Sequence, residues 1–336
     1  MKNRRSIMAV SALMILCYHL WAYITNRGTV ELFLLTTAYV GVDMFFLLSG
    51  YSLGRKDAGA YFKFVWSRFK AVYLKYIIFA CVAFIYSGLI LGSKKTWNLP
   101  RLLKIISSAE LFQKGGGAFL WFLPAIMFFY LLFPFFQKCD KRNRWVTLVS
   151  VFALWAGIAW EVTSFTNYKA MFIFWNRLPA FFIGFYIQKL DIYIAKRNES
   201  AKNTQLRMLQ AILGIALAVA GYFILYKWGF RLKLQTPFVD MFYLLGLPLS
   251  FGLILLTSFI PEIKPIKWVG SSTLEMYAVQ MVFGYNIAKR LIKNVPSVLA
   301  ANLLCIMVVT AIAVLIHYGY AWIEKKVTKE KSRTTK

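Results

Sequence analysis

Val40-Gly41-Val42-Asp43-Met44-Phe45-Phe46-Leu47-Leu48-Ser49-Gly50-Tyr51 carries one ionisable side chain, Asp43, with Gly41 and Gly50 on either side of it. The apolar run that contains it extends from 30 to 53. An α-helix needs roughly 20 such residues to cross a bilayer, so the stretch reads as a membrane span that holds a carboxylate at depth. Working outward, further apolar runs of comparable length occur at 7–24, 72–92, 118–137, 145–161, 170–188, 208–226, 239–260, 268–288 and 296–323. The fold class is therefore all-α: a polytopic membrane protein with about ten transmembrane helices.

Composition agrees. Of 336 residues, 60% are hydrophobic and 16% charged, and the mean hydropathy is +0.59. Such a chain has too little polar surface to face water and takes lipid as its solvent. The net charge of +27, from 40 Lys and Arg against 13 Asp and Glu, would suggest nucleic acid if a polar domain carried it. None is present: the longest polar loop, Lys189 to Arg207, is too short for a core, so nucleic acid is not expected as a partner. Counting position by position, 26 basic residues fall on the side of the termini and 13 on the other, with Arg177 inside a span. By the positive-inside rule both termini are cytoplasmic. The basic stretch from Lys94 to Lys114 runs against that bias and reads as a half-inserted segment. The first span is followed by Asn26, Arg27 and Gly28 rather than a cleavage site, which reads as a retained helix. Cys17, Cys81, Cys139 and Cys305 have no ligand or redox spacing, so neither a disulfide framework nor a zinc site is expected. No internal repeat is visible.

Ionisable groups at membrane depth cost about 2.5 to 3.5 kcal/mol each and are functional candidates by default. Here they are His19, Glu31, Asp43, Glu161, Arg177, Asp240 and Glu275. His19 lies about 7 Å below the outer boundary at 1.5 Å per residue, with Glu31 at similar depth; Asp43 lies about 20 Å down its span. A carboxylate facing the imidazole would make His19 a general base. The bland alternative is a packing histidine. Arg177, in Phe174-Trp175-Asn176-Arg177-Leu178-Pro179, reads either as a snorkelling arginine or as an anion or sugar contact, with Pro179 disturbing the turn before it. With only His19 and His317 available, a joint metal site is not expected.

Between Gly54 and Lys75 stand Arg55, Lys56, Lys63, Arg68, Lys70 and Lys75, interleaved with Tyr61, Phe62, Phe64 and Trp66. Cations a turn apart with aromatics between them read as an amphipathic cytoplasmic helix. It would hold either the phosphates of a cytosolic nucleotide-type donor or anionic lipid head groups.

Cys17-Tyr18-His19-Leu20 followed by Gly41-Val42-Asp43-Met44-Phe45-Phe46-Leu47-Leu48-Ser49-Gly50-Tyr51 resembles the opening of the membrane acyltransferase-3 family. That family begins with a helix ending in Tyr-His and a Gly-Val-Asp-x-Phe-Phe-x-x-Ser-Gly string. Leu120-Trp121-Phe122-Leu123-Pro124 is similar to its Trp-Phe-Leu helix, Arg177-Leu178-Pro179-Ala180-Phe181 to its Arg-x-Pro-x-Phe segment, and Leu274-Glu275-Met276-Tyr277 to its late tyrosine segment. The resemblance implies a transmembrane domain over 1–324, a basic cytoplasmic tail over 325–336, and a multi-pass location in a bacterial plasma membrane. It implies O-acyl transfer, usually of acetyl, from cytosolic acyl-CoA to a carbohydrate or glycolipid. His19 would be the essential histidine, oriented by Glu31 or Asp43. Arg68, with Lys70, Arg55 and Lys63, would hold the donor, and Arg177, Trp121 and Glu275 would contact the acceptor or its oxyanion. Acetyl-CoA or another acyl-CoA is then the co-substrate, without a metal. Two family arginines are replaced here, by Met8 and Ala71, near Arg5 and Lys70; Gln280 stands where many members have histidine. The rival reading is an export component for polysaccharide or lipid-linked sugar.

Overall fold

In a chain solvated by lipid, backbone N–H and C=O groups have no water to bind and must be satisfied within each segment. Helices are accordingly the only regular elements among the described residues. The computed structural model describes residues 3–21, 37–54, 57–93, 95, 97–164, 172–197, 203–228 and 245–334. Each of the ten apolar runs is mainly helical over its described part. Among the described residues four helices are long and apolar enough to cross a membrane: Tyr61–Ile90, Phe122–Arg142, Gln205–Leu225 and Val298–Lys326. Val40–Leu53, Arg144–Trp160 and Leu247–Thr257 are shorter apolar helices.

Several boundaries depart from the sequence reading, for local reasons. The amphipathic stretch before Lys75 and the run at 72–92 form one helix, Tyr61–Ile90, because no Gly or Pro interrupts it before Gly88. It includes wider π-helical turns at Phe69–Tyr73 and Phe84–Ile90. The run at 170–188 is broken instead, into Phe172–Trp175 and Leu178–Arg197, and the break falls just before Pro179. Proline lacks the amide that would continue the ladder but is well suited to the first turn of a new helix. The run at 268–288 bends at Ser272 between Lys264–Ser271 and Thr273–Val279. The last helix, Val298–Thr334, continues through the basic tail.

The described chain divides into two compact units, one made of Met1–Gly41 with Ile254–Lys336 and the other of Val42–Leu253. In the first, helix Arg4–Trp21 packs on Lys264–Ser271, Thr273–Val279 and Val298–Thr334. Gly270 sets the approach: a Cβ there would run into the Arg5 carbonyl. The start of the helix is tied down by hydrogen bonds from Asn3 Nδ2 to the Ser258 carbonyl (2.8 Å) and from Ser6 Oγ to the Ile260 carbonyl (2.9 Å).

In the second unit, Gly50 lies against the Phe181 carbonyl and Gly184 against the Leu47 carbonyl. The two backbones meet at a reciprocal pair of glycines, the close approach that holds helices together where lipid removes any hydrophobic drive. Phenylalanines fill the space beside this seam, with ring centroids 5.2 Å apart for Phe46 and Phe129, 5.5 Å for Phe129 and Phe181, and 5.6 Å for Phe133 and Phe185. At one end of the same packing, buried Asp140 accepts from the Tyr186 hydroxyl (2.8 Å) and pairs with Lys189.

Candidate functional site

The helix break in the second unit creates its charged centre. In an unbroken helix the Arg177 amide would bond the Ile173 carbonyl four residues back; here it bonds the Phe174 carbonyl at 3.0 Å, three residues back. The Ile173 carbonyl instead accepts from the guanidinium of Arg177 through Nη1. Arg177 Nε lies 3.1 Å from Asp43 Oδ1, with side chains only 2% and 1% exposed. The guanidinium carbon sits 5.2 Å from the ring centroid of Trp121. Asp43, Arg177 and Trp121, which the sequence nominated from three separate segments, thus meet at one point. Their pairing neutralises two charges that lipid would penalise heavily one at a time.

The first unit holds the histidines. His19 stands two residues from the end of helix Arg4–Trp21, edge-on to Tyr18 with ring centroids 5.4 Å apart. The ring of Tyr277 lies 6.4 Å from it. Glu275, two positions before Tyr277, faces elsewhere: its Oε1 lies 3.2 Å from Nδ1 of His317. In the sequence His317 figured only as an unpromising metal ligand. Helix Val298–Thr334 brings it to Glu275 because it packs along Thr273–Val279. No local signal in the sequence pointed to that pairing. Gln280 is buried at the start of the π-helical turn Gln280–Gly284, and its Nε2 finds no hydrogen-bond partner among the described residues.

On helix Tyr61–Ile90, the guanidinium carbon of Arg68 lies 5.2 Å from the Phe64 ring centroid and 5.5 Å from that of Tyr130. Its Nε is buried and has no hydrogen-bond partner among the described residues. Lys70 extends over Trp66 at 5.9 Å, and Lys63 is exposed. The helix presents cations on aromatic faces, an arrangement that holds a guanidinium in place without neutralising its charge. Ala71 is exposed on the same helix and Met8 is half-buried. Glu31, Arg55 and Asp240 lie outside the described residues, as does the side chain of Glu161. Among the described residues, no group of three or more His, Cys, Asp or Glu side chains is placed to hold a metal.

Long apolar helices with ionisable pairs buried inside them are those of a membrane protein. A sequence model of the acyltransferase-3 family, described as an acyltransferase domain, matches residues 8–318, so the chain belongs to that family of acyltransferases. No curated protein and no solved structure gives a significant match.

Proposed function

We propose that the protein moves an acetyl or other short acyl group from cytosolic acyl-CoA to a hydroxyl of an extracytoplasmic or lipid-linked carbohydrate, as a multi-pass enzyme of a bacterial plasma membrane. The observation that carries this reading is the family match over residues 8–318, which takes in His19, Arg68 and Arg177. In the proposed reaction Arg68, helped by Lys63, Lys70 and Arg55, binds the phosphates of the donor. The neutral imidazole of His19 takes the proton of the attacking hydroxyl, whose oxygen bonds to the thioester carbonyl carbon. The carbon–sulfur bond then breaks, and the thiolate leaves with the proton that His19 had accepted. Glu31 or Asp43 orients His19, and Asp43 also pairs with Arg177. Arg177, steadied by Asp43 and Trp121, provides the positive charge for the developing oxyanion or for the acceptor.

The test is product formation by purified protein with acyl-CoA and envelope glycan. His19→Ala is expected to abolish transfer while expression and coenzyme A binding stay intact; undiminished product in that variant would remove His19 from the reaction. Arg68→Ala is expected to weaken coenzyme A binding at least tenfold. A wild-type protein that does not bind coenzyme A would favour the export reading instead.

A further inference from the structure

The basic stretch from Lys94 to Lys114 has no place in the proposed reaction, and it opposes the charge bias that orients the chain. Within the second unit it folds around a single carboxylate. Glu110 is 1% exposed, and its Oε1 accepts from Arg101 Nε and Lys114 Nζ, each at 2.8 Å. Its Oε2 accepts from the amide of Phe119 at 3.1 Å. Arg101 is stacked on Trp97, with its guanidinium carbon 4.4 Å from the ring centroid. Asn98 caps the helix Leu99–Ile106 by accepting from the Arg101 amide. These contacts build one wall of a cavity of about 420 Å³ whose lining includes Lys95, Arg101, Lys104, Glu110 and Lys114. Four cations against one carboxylate leave the cavity strongly positive, and Glu110 acts as its frame.

The helix that carries two of those cations also has an apolar edge. Leu102 and Ile105 are buried, while Leu99 and Leu103, one turn apart, are both exposed. At eight residues the helix is about 12 Å long, too short to cross a bilayer, so cations on one flank and exposed leucines on the other suit the boundary between acyl chains and head groups. We infer that this cavity binds the phosphate group of a lipid, with Leu99 and Leu103, on the other flank of the short helix, turned to the acyl chains. The charge argues for phosphate over a sugar carboxylate. A carboxylate brings one negative charge to a site with a surplus of three, whereas a phosphate or pyrophosphate brings more charge and several oxygens for Lys and Arg to share. The inference does not depend on acyl transfer. The lipid phosphate has two possible sources, a bilayer phospholipid or the carrier of a lipid-linked glycan.

The experiment measures lipid retained by the purified full chain after delipidation, against phosphatidylglycerol, phosphatidylcholine and a polyprenyl pyrophosphate in neutral detergent. The variant Lys95→Gln/Lys104→Gln removes two charges and leaves the Glu110 frame untouched. A second variant, Lys289→Gln/Lys293→Gln, removes the same charge elsewhere, and thermal unfolding of all three proteins controls for folding. The expected result is at least a tenfold loss of affinity for an anionic phosphate lipid in the first variant only, with phosphatidylcholine unaffected. If phosphatidylglycerol shows the loss, the source is the bilayer; if only the polyprenyl pyrophosphate does, it is the glycan carrier. Equal affinities in the two variants, or binding that ignores both, would overturn the site. Because binding is read without turnover, loss of transfer with intact lipid binding would count against the proposed reaction alone.

Discussion

Asp43 and Arg177 face the same problem, a full charge in a place without water, and at 3.1 Å each solves it for the other. Removing one partner strands the other. Asp43→Ala is expected to lower stability by about 3 to 5 kcal/mol, the usual cost of an uncompensated buried charge, whereas Asp43→Leu combined with Arg177→Met recovers most of that loss. Denaturant or thermal unfolding in detergent reads both, and a single variant as stable as the double would show that the pair does not hold the break. Each residue could be nominated from the sequence as an ionisable group in an apolar run. That they pair could not, since the contact depends on the packing of two helices distant in the chain. His317 is the sharper instance. Nothing near it in sequence marks it as the partner of Glu275, and only the long last helix brings it there.

Between helices, the decisive groups are those without side chains. Gly50 and Gly184 each press on a facing carbonyl, so Gly50→Ala or Gly184→Ala is expected to push the helices apart at a cost of at least about 1 to 3 kcal/mol. Gly319 sits in a helix with nothing near its missing Cβ, and Gly319→Ala is expected to be neutral or to stabilise by up to about 1 kcal/mol. Opposite signs for the two kinds of glycine, measured by unfolding in one detergent, check the seam. The Glu110 frame makes a pH prediction. Burial pushes its carboxyl up, but Lys114, the Phe119 amide and Arg101 together hold its pKa below the ordinary 4.5. A depressed folded-state pKa means that the frame's contribution is complete above that ordinary value and is lost as pH falls through the folded one. Proteolytic resistance of the stretch 95–114 is therefore expected to be flat from neutral pH down to the ordinary carboxylate range and to fall at more acid pH. Glu110→Gln should remove that acid step; an acid step that survives the substitution would assign it to another group.

Over the whole chain, the excess of basic residues on one side, 26 against 13, predicts that both termini face the cytoplasm. A reporter active only in the cytoplasm, fused after Lys336, is expected to be active, and an inactive but intact fusion would reverse the orientation. Membrane solvation, helical class and family were all legible in the chain, because apolar run length and a short ordered motif are properties of neighbouring residues. The Val40–Tyr51 string alone carried the family motif and the candidate carboxylate. Where Tyr61–Ile90 continues and where 170–188 breaks were half legible, through the absence of Gly and Pro in one and the presence of Pro179 in the other. Which charge answers which, that Arg177 faces Asp43 and Trp121 and that Glu275 faces His317, was decided by tertiary structure only. A helix made of apolar residues almost all round has no polar stripe to show which side faces its neighbours. Its partners are set by small-residue seams and ring packing that form when the segments meet.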